Sequence, residues 1–241
     1  MKPETAHRVV MANLDWAVHF GLHRSLGAFP VEDPTQVMGI RFPNAVGLAA
    51  GMTPDGKAVS ALGGLGFGFI EVGTVTPQPG VPTAEPRRFR LPSINGFIHR
   101  ECGRSVDCRT MLANLKSADP FRLRGGIVGI SLGHHPDTPS ERILQDIQTG
   151  MEQVYRAADY LAICAHSLTE AADTEALIAG CAQQRDRLST LTGKRLPLLA
   201  KVSPDSDNDT LKVLVHLLMQ YGFDGVIATG SSEKILEEIH G

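Results

Sequence analysis

The chain has 241 residues, 42% of them hydrophobic and 20% charged, which excludes a disordered segment and suits one large globular domain or two small ones. Its 23 Lys plus Arg against 26 Asp plus Glu give a net charge of −3, and without a dense basic run this excludes an electrostatic nucleic-acid binder. No stretch reaches the roughly 18 uninterrupted apolar residues of a membrane-spanning helix, so any contact with a bilayer would be at its surface. Cys102, Cys108, Cys164 and Cys181, together with opening residues that carry His, Arg and Asn among the apolar positions, give the expectation of reduced thiols in a cytoplasmic chain.

Residues 4–26 carry apolar side chains at helical spacing, among them Val9, Val10, Leu14, Trp16 and Phe20, interleaved with His7, Arg8, His19 and Arg24. An amphipathic helix is predicted here, either packed on the following domain or lying on a membrane surface. A linker around Pro30 to Pro34 separates it from the rest, so the chain divides into 1–34, a helical extension with its linker, and 35–241. In the second part, short apolar runs at 44–50, 69–74, 126–132, 160–165, 197–202 and 225–229 alternate with helix-length segments at 55–65, 140–158, 174–191 and 207–221. That alternation predicts parallel β/α units. Residues 87–100 are the exception, reading as an antiparallel excursion that turns at Ser93–Gly96.

Parallel strands joined by right-handed crossovers close into a barrel or lie open as a doubly wound sheet, and periodicity alone does not choose. A complete barrel needs eight β/α units; about six strands are assignable before Gly241. The glycine-rich stretch 63–68, GGLGFG, lacks GxGxxG spacing and sits between a helix and its next strand, so it reads as a helix stop and tight turn. Asp205 and Asp207 read as a turn and a helix cap.

The block NAVGLAAGMTPDGKAVSALGGLGFGFIEVGTVTPQPG at 44–80 and EPRRFRL at 85–91 resemble the dihydroorotate dehydrogenase family, specifically its quinone-using, membrane-associated class 2. The resemblance continues through GFIHR (96–100), GISLGHHPDTP (129–139), LLAKVSPD (198–205) and FDGVIATG (223–230). It implies an α/β fold, an incomplete (β/α)8 TIM-type barrel of about six parallel strands with an N-terminal helical segment. The activity implied is oxidation of dihydroorotate by FMN at the C-terminal mouth of the barrel, with a serine removing a proton and a quinone receiving the electrons. By the same resemblance the chain would be peripheral on the inner face of the membrane, and Arg87, Arg88 and Arg90 would face anionic lipid or a partner near the quinone entrance, unless they form a merely solvated hairpin.

Residue by residue, the resemblance places Ala49, Ala50, Gly51, Thr74, Ser131, Lys201 and Thr229 at flavin-contacting positions and Ser167 at the proton-abstracting serine. Side-chain-poor backbone at 49–51 suits close approach of a flat ring, and a Lys at a strand end suits negative charge on the reduced flavin. The substrate positions depart from the family. Its pyrimidine-reading Asn residues, whose carboxamides present donor and acceptor together, are replaced by His99, by Ser131 and by Cys164 in the fourth strand. Gly230 stands where Thr-Asn is usual, Pro54 replaces a Lys, and Glu101 to Ser105 replace a Met-Gly-Phe-Asn-Asn run. The glycine-rich turns that hold the flavin phosphate after strands seven and eight have no counterpart in the sequence given.

The expectation is therefore a pseudoenzyme or interaction protein that keeps the scaffold without the ancestral reaction. Open sheet edges would be covered by the terminal segment 231–241, the N-terminal helix, a second copy of the chain or another protein. The alternative is an FMN-dependent dehydrogenase or altered flavin oxidoreductase completed by oligomerisation or a partner. A further alternative is a metal site, because His99, His134, His135, Cys164 and His166 fall at strand ends, with Cys164 and His166 expected on one strand face. No zinc spacing is matched. A Cys–His hydrolase at Cys164 and His166 lacks an orienting third group.

Overall fold

Six of the short apolar runs form strands that lie side by side in the order in which they occur in the chain. The computed structural model describes residues 3–20, 32–80, 88–91, 96–99, 106–230 and 232. Helix α1 (Pro3–His19) precedes a hairpin of β1 (Thr35–Val37) and β2 (Ile40–Phe42). Then follow β3 (Gly47–Leu48), α2 (Val59–Gly63), β4 (Phe69–Val75), a second hairpin of β5 (Arg88–Leu91) and β6 (Gly96–His99), α3 (Cys108–Leu115) and α4 (Asp119–Arg122). The remainder is β7 (Ile127–Leu132), α5 (Ile143–Val154), β8 (Tyr160–Ile163), α6 (Ala165–Glu170), α7 (Thr174–Thr192), β9 (Leu198–Val202), α8 (Asn208–Gln220) and β10 (Gly225–Ala228).

The main sheet runs β3-β4-β7-β8-β9-β10, and every neighbouring pair is parallel, with Ile70 opposite Val128, Ile130 opposite Leu161 and Ile163 opposite Ala200. Spatial order that repeats chain order means that each crossover steps in one direction, the rule of a barrel rather than of a doubly wound sheet. The expected partial barrel is present.

Strand alternation divides the core in two. Leu161 and Ile163 of β8 face outward into the large cluster shared with Ile147 and Met151 of α5 and with Ile178 and Cys181 of α7. Tyr160 and Ala162, one residue out of phase, face inward with Leu199. The β1–β2 hairpin supplies Met38, Ile40 and Phe42 to this inner cluster, and the Phe42 ring meets Phe69 edge-on at 5.2 Å. The hairpin therefore stoppers the end of the barrel where the strands begin, leaving chemistry to the other end.

The helices follow their local signals. α5 buries Ile143, Ile147, Met151 and Val154 on one stripe. α7 starts where the Asp173 carboxylate accepts from the Ala176 amide at 2.9 Å and stops at Gly193, whose φ of 70° is left-handed. α8 is capped by Asp207, as the sequence implies. In α1, Met11 and Leu14 pack on the core while Val9, Val10, Trp16 and Phe20 remain exposed; positions 21–26 of the predicted helix lie outside the described residues. Among the described residues no helix is long and apolar enough to cross a membrane.

The predicted antiparallel excursion pairs as β5 with β6, from Arg88 opposite His99 to Leu91 opposite Gly96, with residues 92–95 of its turn outside the described residues. One strand boundary is corrected. The run 160–165 ends at Ile163, because Ala165 opens α6 with Cys164 as its N-cap residue. Cys164 and His166 therefore do not share a strand face.

Candidate functional site at the strand C-termini

The ends of β3, β4, β7, β8, β9 and β10 carry the residues singled out from the sequence. At the end of β3 the Gly51 amide donates to the Gly73 carbonyl at 2.9 Å, fastening this loop to β4. Gly51 has a φ of +105°, and a Cβ there would meet nothing within 4 Å. Open space over a side-chain-free backbone is what close approach of a planar ring requires. Gly73, also at φ +105°, is different: a Cβ would sit 2.5 Å from the Ser131 carbonyl oxygen, so this glycine lets β4 and β7 close on each other.

Thr74 Oγ1 and Ser131 Oγ are 3.0 Å apart, and Ser131 is fully buried. The hydroxyl at the position of a family Asn is therefore engaged by a neighbouring strand. Lys201, on β9, reaches across the interior to Glu71 on β4, Nζ to Oε1 at 2.8 Å. Glu71 Oε2 accepts from the Tyr160 hydroxyl at 3.3 Å. Burial first, and the adjacent Glu71 charge second, push the Tyr160 phenol well above its ordinary range, so that it stays a donor. Thr229 is exposed, its Oγ1 donating to the Gly230 carbonyl at 3.1 Å. His99 lies in β6, but its side chain, like residues 101–105, is outside the described residues.

Ser167 is fully buried in α6. Its Oγ lies 3.0 Å from His134 Nδ1 and accepts from the His134 amide at 3.3 Å. The other ring nitrogen of His134, Nε2, is 2.9 Å from Glu170 Oε2. Glu170 Oε1 is in turn 3.0 Å from His166 Nδ1. Sequence reading singles out Ser167 but assigns it no partner; His134 enters there only as a metal ligand and Glu170 not at all. A usable signal exists, since Glu170 stands three residues after Ser167 and four after His166, on one helical face.

The metal alternative finds no support here. Among the described residues no group of three or more His, Cys, Asp or Glu side chains gathers as a metal site would require. His134 is bonded as above, and His135 engages the Pro79 carbonyl through Nε2 at 3.1 Å and the Asp137 amide through Nδ1 at 3.2 Å.

For FMN, the open approach over Gly51, the side-chain-poor Ala49 and Ala50 beside it, Thr74 and the largely buried ammonium of Lys201 fit the ring of the flavin. Ser131 and Thr74 share one hydroxyl–hydroxyl hydrogen bond.

Comparison with known proteins agrees with this architecture. The family model described as dihydroorotate dehydrogenase matches residues 34–239. A dihydroorotate dehydrogenase (quinone) of Polynucleobacter asymbioticus is 37% identical over 240 residues, covering 96% of this chain and 70% of that protein. One of Ralstonia nicotianae is 38% identical over 242 residues, with the same two coverages. Among solved structures, the DHODH of Eimeria tenella in complex with ferulenol superposes with a TM-score of 0.79 at 27% identity, over 95% of this chain and 67% of that one. The ligand-free type from the same organism gives 0.78 at 26% identity, over 95% and 69%.

Proposed function

Because this chain belongs to the dihydroorotate dehydrogenase family, we propose that it is a flavin-platform barrel of that family which does not turn over dihydroorotate and serves as a pseudoenzyme or interaction protein. The observation that carries this reading is the fate of Ser131. Where the resemblance sets a carboxamide toward the substrate, a short hydroxyl is fully buried and bonded to Thr74 at 3.0 Å. Gly230 and Cys164 stand at two further amide positions. Each lost buried partner costs a polar ligand on the order of 1–3 kcal/mol, so together these changes remove useful affinity for a ureide. The homologues named above carry the name of an active dehydrogenase, and the proposal separates this chain from them on those side chains alone.

A second reading, an altered flavin oxidoreductase, is favoured by Gly51 and Lys201. FMN, when bound, would supply a hydride acceptor. Ala49, Ala50, Gly51 and Thr74 would line its ring, and the Lys201 ammonium, steadied by Glu71, would hold negative charge in place. In either reading the exposed Val9, Val10, Trp16 and Phe20 of α1 and the exposed Val226 of the outermost strand β10 are surfaces for a membrane, a second copy or another protein.

The test is the purified chain incubated with FMN, dihydroorotate and a soluble quinone. The proposal expects no orotate. A yellow, dithionite-bleachable preparation without orotate formation moves the assignment to the altered oxidoreductase; orotate formation overturns both.

A further inference from the structure

The geometry points to a second chemistry for Ser167: we propose that Ser167, His134 and Glu170 form a nucleophile–base–carboxylate chain competent for acyl transfer from small activated esters. Three side chains from two connections meet in order. Ser167 Oγ is 3.0 Å from His134 Nδ1, and His134 Nε2 is 2.9 Å from Glu170 Oε2. The carboxylate accepts from Nε2–H and so fixes the tautomer, leaving the Nδ1 lone pair toward the serine, whose O–H then donates to it. The His134 amide, 3.3 Å from Oγ, donates to the remaining side of that oxygen and fixes its orientation. A nucleophile within hydrogen-bond reach of a base that is itself oriented by a third group is the arrangement that activates a hydroxyl. The roles of the two ring nitrogens are exchanged relative to the usual order, which leaves the proton path unchanged.

The chain runs from core to surface, from a Ser167 with no exposed area through a His134 side chain 6% exposed to a Glu170 side chain 51% exposed. Glu170 is braced on its other oxygen by His166 at 3.0 Å. With no exposed area on Ser167, an acyl donor reaches Oγ only when the surrounding loop opens, and a small donor needs the smallest opening.

The step balances without a cofactor. Ser167 Oγ attacks the carbonyl carbon while its proton passes to His134 Nδ1. The bond to the leaving alkoxide breaks, and that oxygen takes the proton from Nδ1. Water then attacks the acyl-serine by the same route in reverse, releasing the acid. This proposal does not depend on the flavin reading, since no part of it uses Lys201 or the Gly51 platform.

The experiment is reaction of the folded full chain with diisopropyl fluorophosphate, read by intact mass and peptide mapping, beside release of p-nitrophenol from p-nitrophenyl acetate. The expected result is one label, on Ser167. His134→Gln should slow labelling by about 10²–10⁴-fold. Glu170→Gln, which keeps an acceptor for Nε2–H at a half-exposed position but removes the charge, should slow it at least about tenfold, and Glu170→Asp should restore part of the rate. Absence of label in the folded wild-type chain overturns the proposal. So does labelling at an unchanged rate in both the His134→Gln and Glu170→Gln variants, each shown to be folded by circular dichroism.

Discussion

Lys201 and Glu71, 130 residues apart in the chain, meet inside the barrel at 2.8 Å with their side chains 12% and 5% exposed. Taking either charge out of water is expensive, and removing one partner leaves the other stranded. Glu71→Gln should therefore destabilise the fold by about 3–5 kcal/mol in urea unfolding. The double variant Glu71→Leu with Lys201→Met should recover much of that loss, because it removes both charges. A single variant as stable as wild type would show that the pair is hydrated.

Two glycines are expected to resist the same substitution for different physical reasons. At Gly129 a Cβ would lie 2.0 Å from the Tyr160 ring, which must then leave its place beside Glu71. Gly129→Ala should cost about 1–3 kcal/mol as overpacking, measured by the urea midpoint. At Gly51 an added Cβ would meet nothing within 4 Å, and only the φ of +105° opposes a side chain. Gly51→Ala should stay folded with a cost of about 1–2 kcal/mol and should weaken any FMN binding measured by fluorescence quenching.

The caps of α3 and α8 give a pH signature. The Asp107 carboxyl is held below its ordinary 3.8 chiefly by the Thr110 hydroxyl and then by the Thr110 amide; Asp207 is lowered first by the Thr210 amide and then by its hydroxyl. A depressed folded-state value means that the stabilisation is fully present above the unfolded-state value. It is lost as pH falls through the folded-state one. Asp107→Ala should cost about 1 kcal/mol near neutral pH. In the double variant Asp107→Asn with Asp207→Asn, the wild type's extra loss of stability on acidification below 3.8 should shrink. An unchanged acid limb in urea titrations would remove both carboxylates from the account.

Two thiols should be silent. Burial pushes Cys108 and Cys181 each up to about 12, leaving almost no thiolate near neutral pH. Iodoacetamide should spare both in the native chain and modify both in urea. Native modification of either, located by peptide mapping, would mean that the core between the sheet and α5 or α7 opens readily.

The sequence patterns carried the barrel and much less of its site. The runs at 126–132 and 197–202, which become β7 and β9, announce themselves because a buried parallel strand is apolar on both faces. β1 and β2 have three residues each, below the length at which alternation is legible. The run 160–165 was legible as a strand, but Ala165 extends the apolar pattern past the point where α6 begins. Glu71 looks like an ordinary polar residue of β4 until Lys201 is folded against it. His134 and Ser167, 33 residues apart, are joined only because β7 and β8 are neighbours whose C-terminal loops converge. The resemblance singles out Ser167; no local pattern could name the imidazole that holds it.

The most direct test of the account is calorimetric titration of the folded chain, with FMN present, by dihydroorotate and separately by orotate. With Ser131 bonded to Thr74 and the amide positions occupied by Cys164 and Gly230, no saturable binding is expected up to about 1 mM. Saturable micromolar binding of either pyrimidine would contradict it.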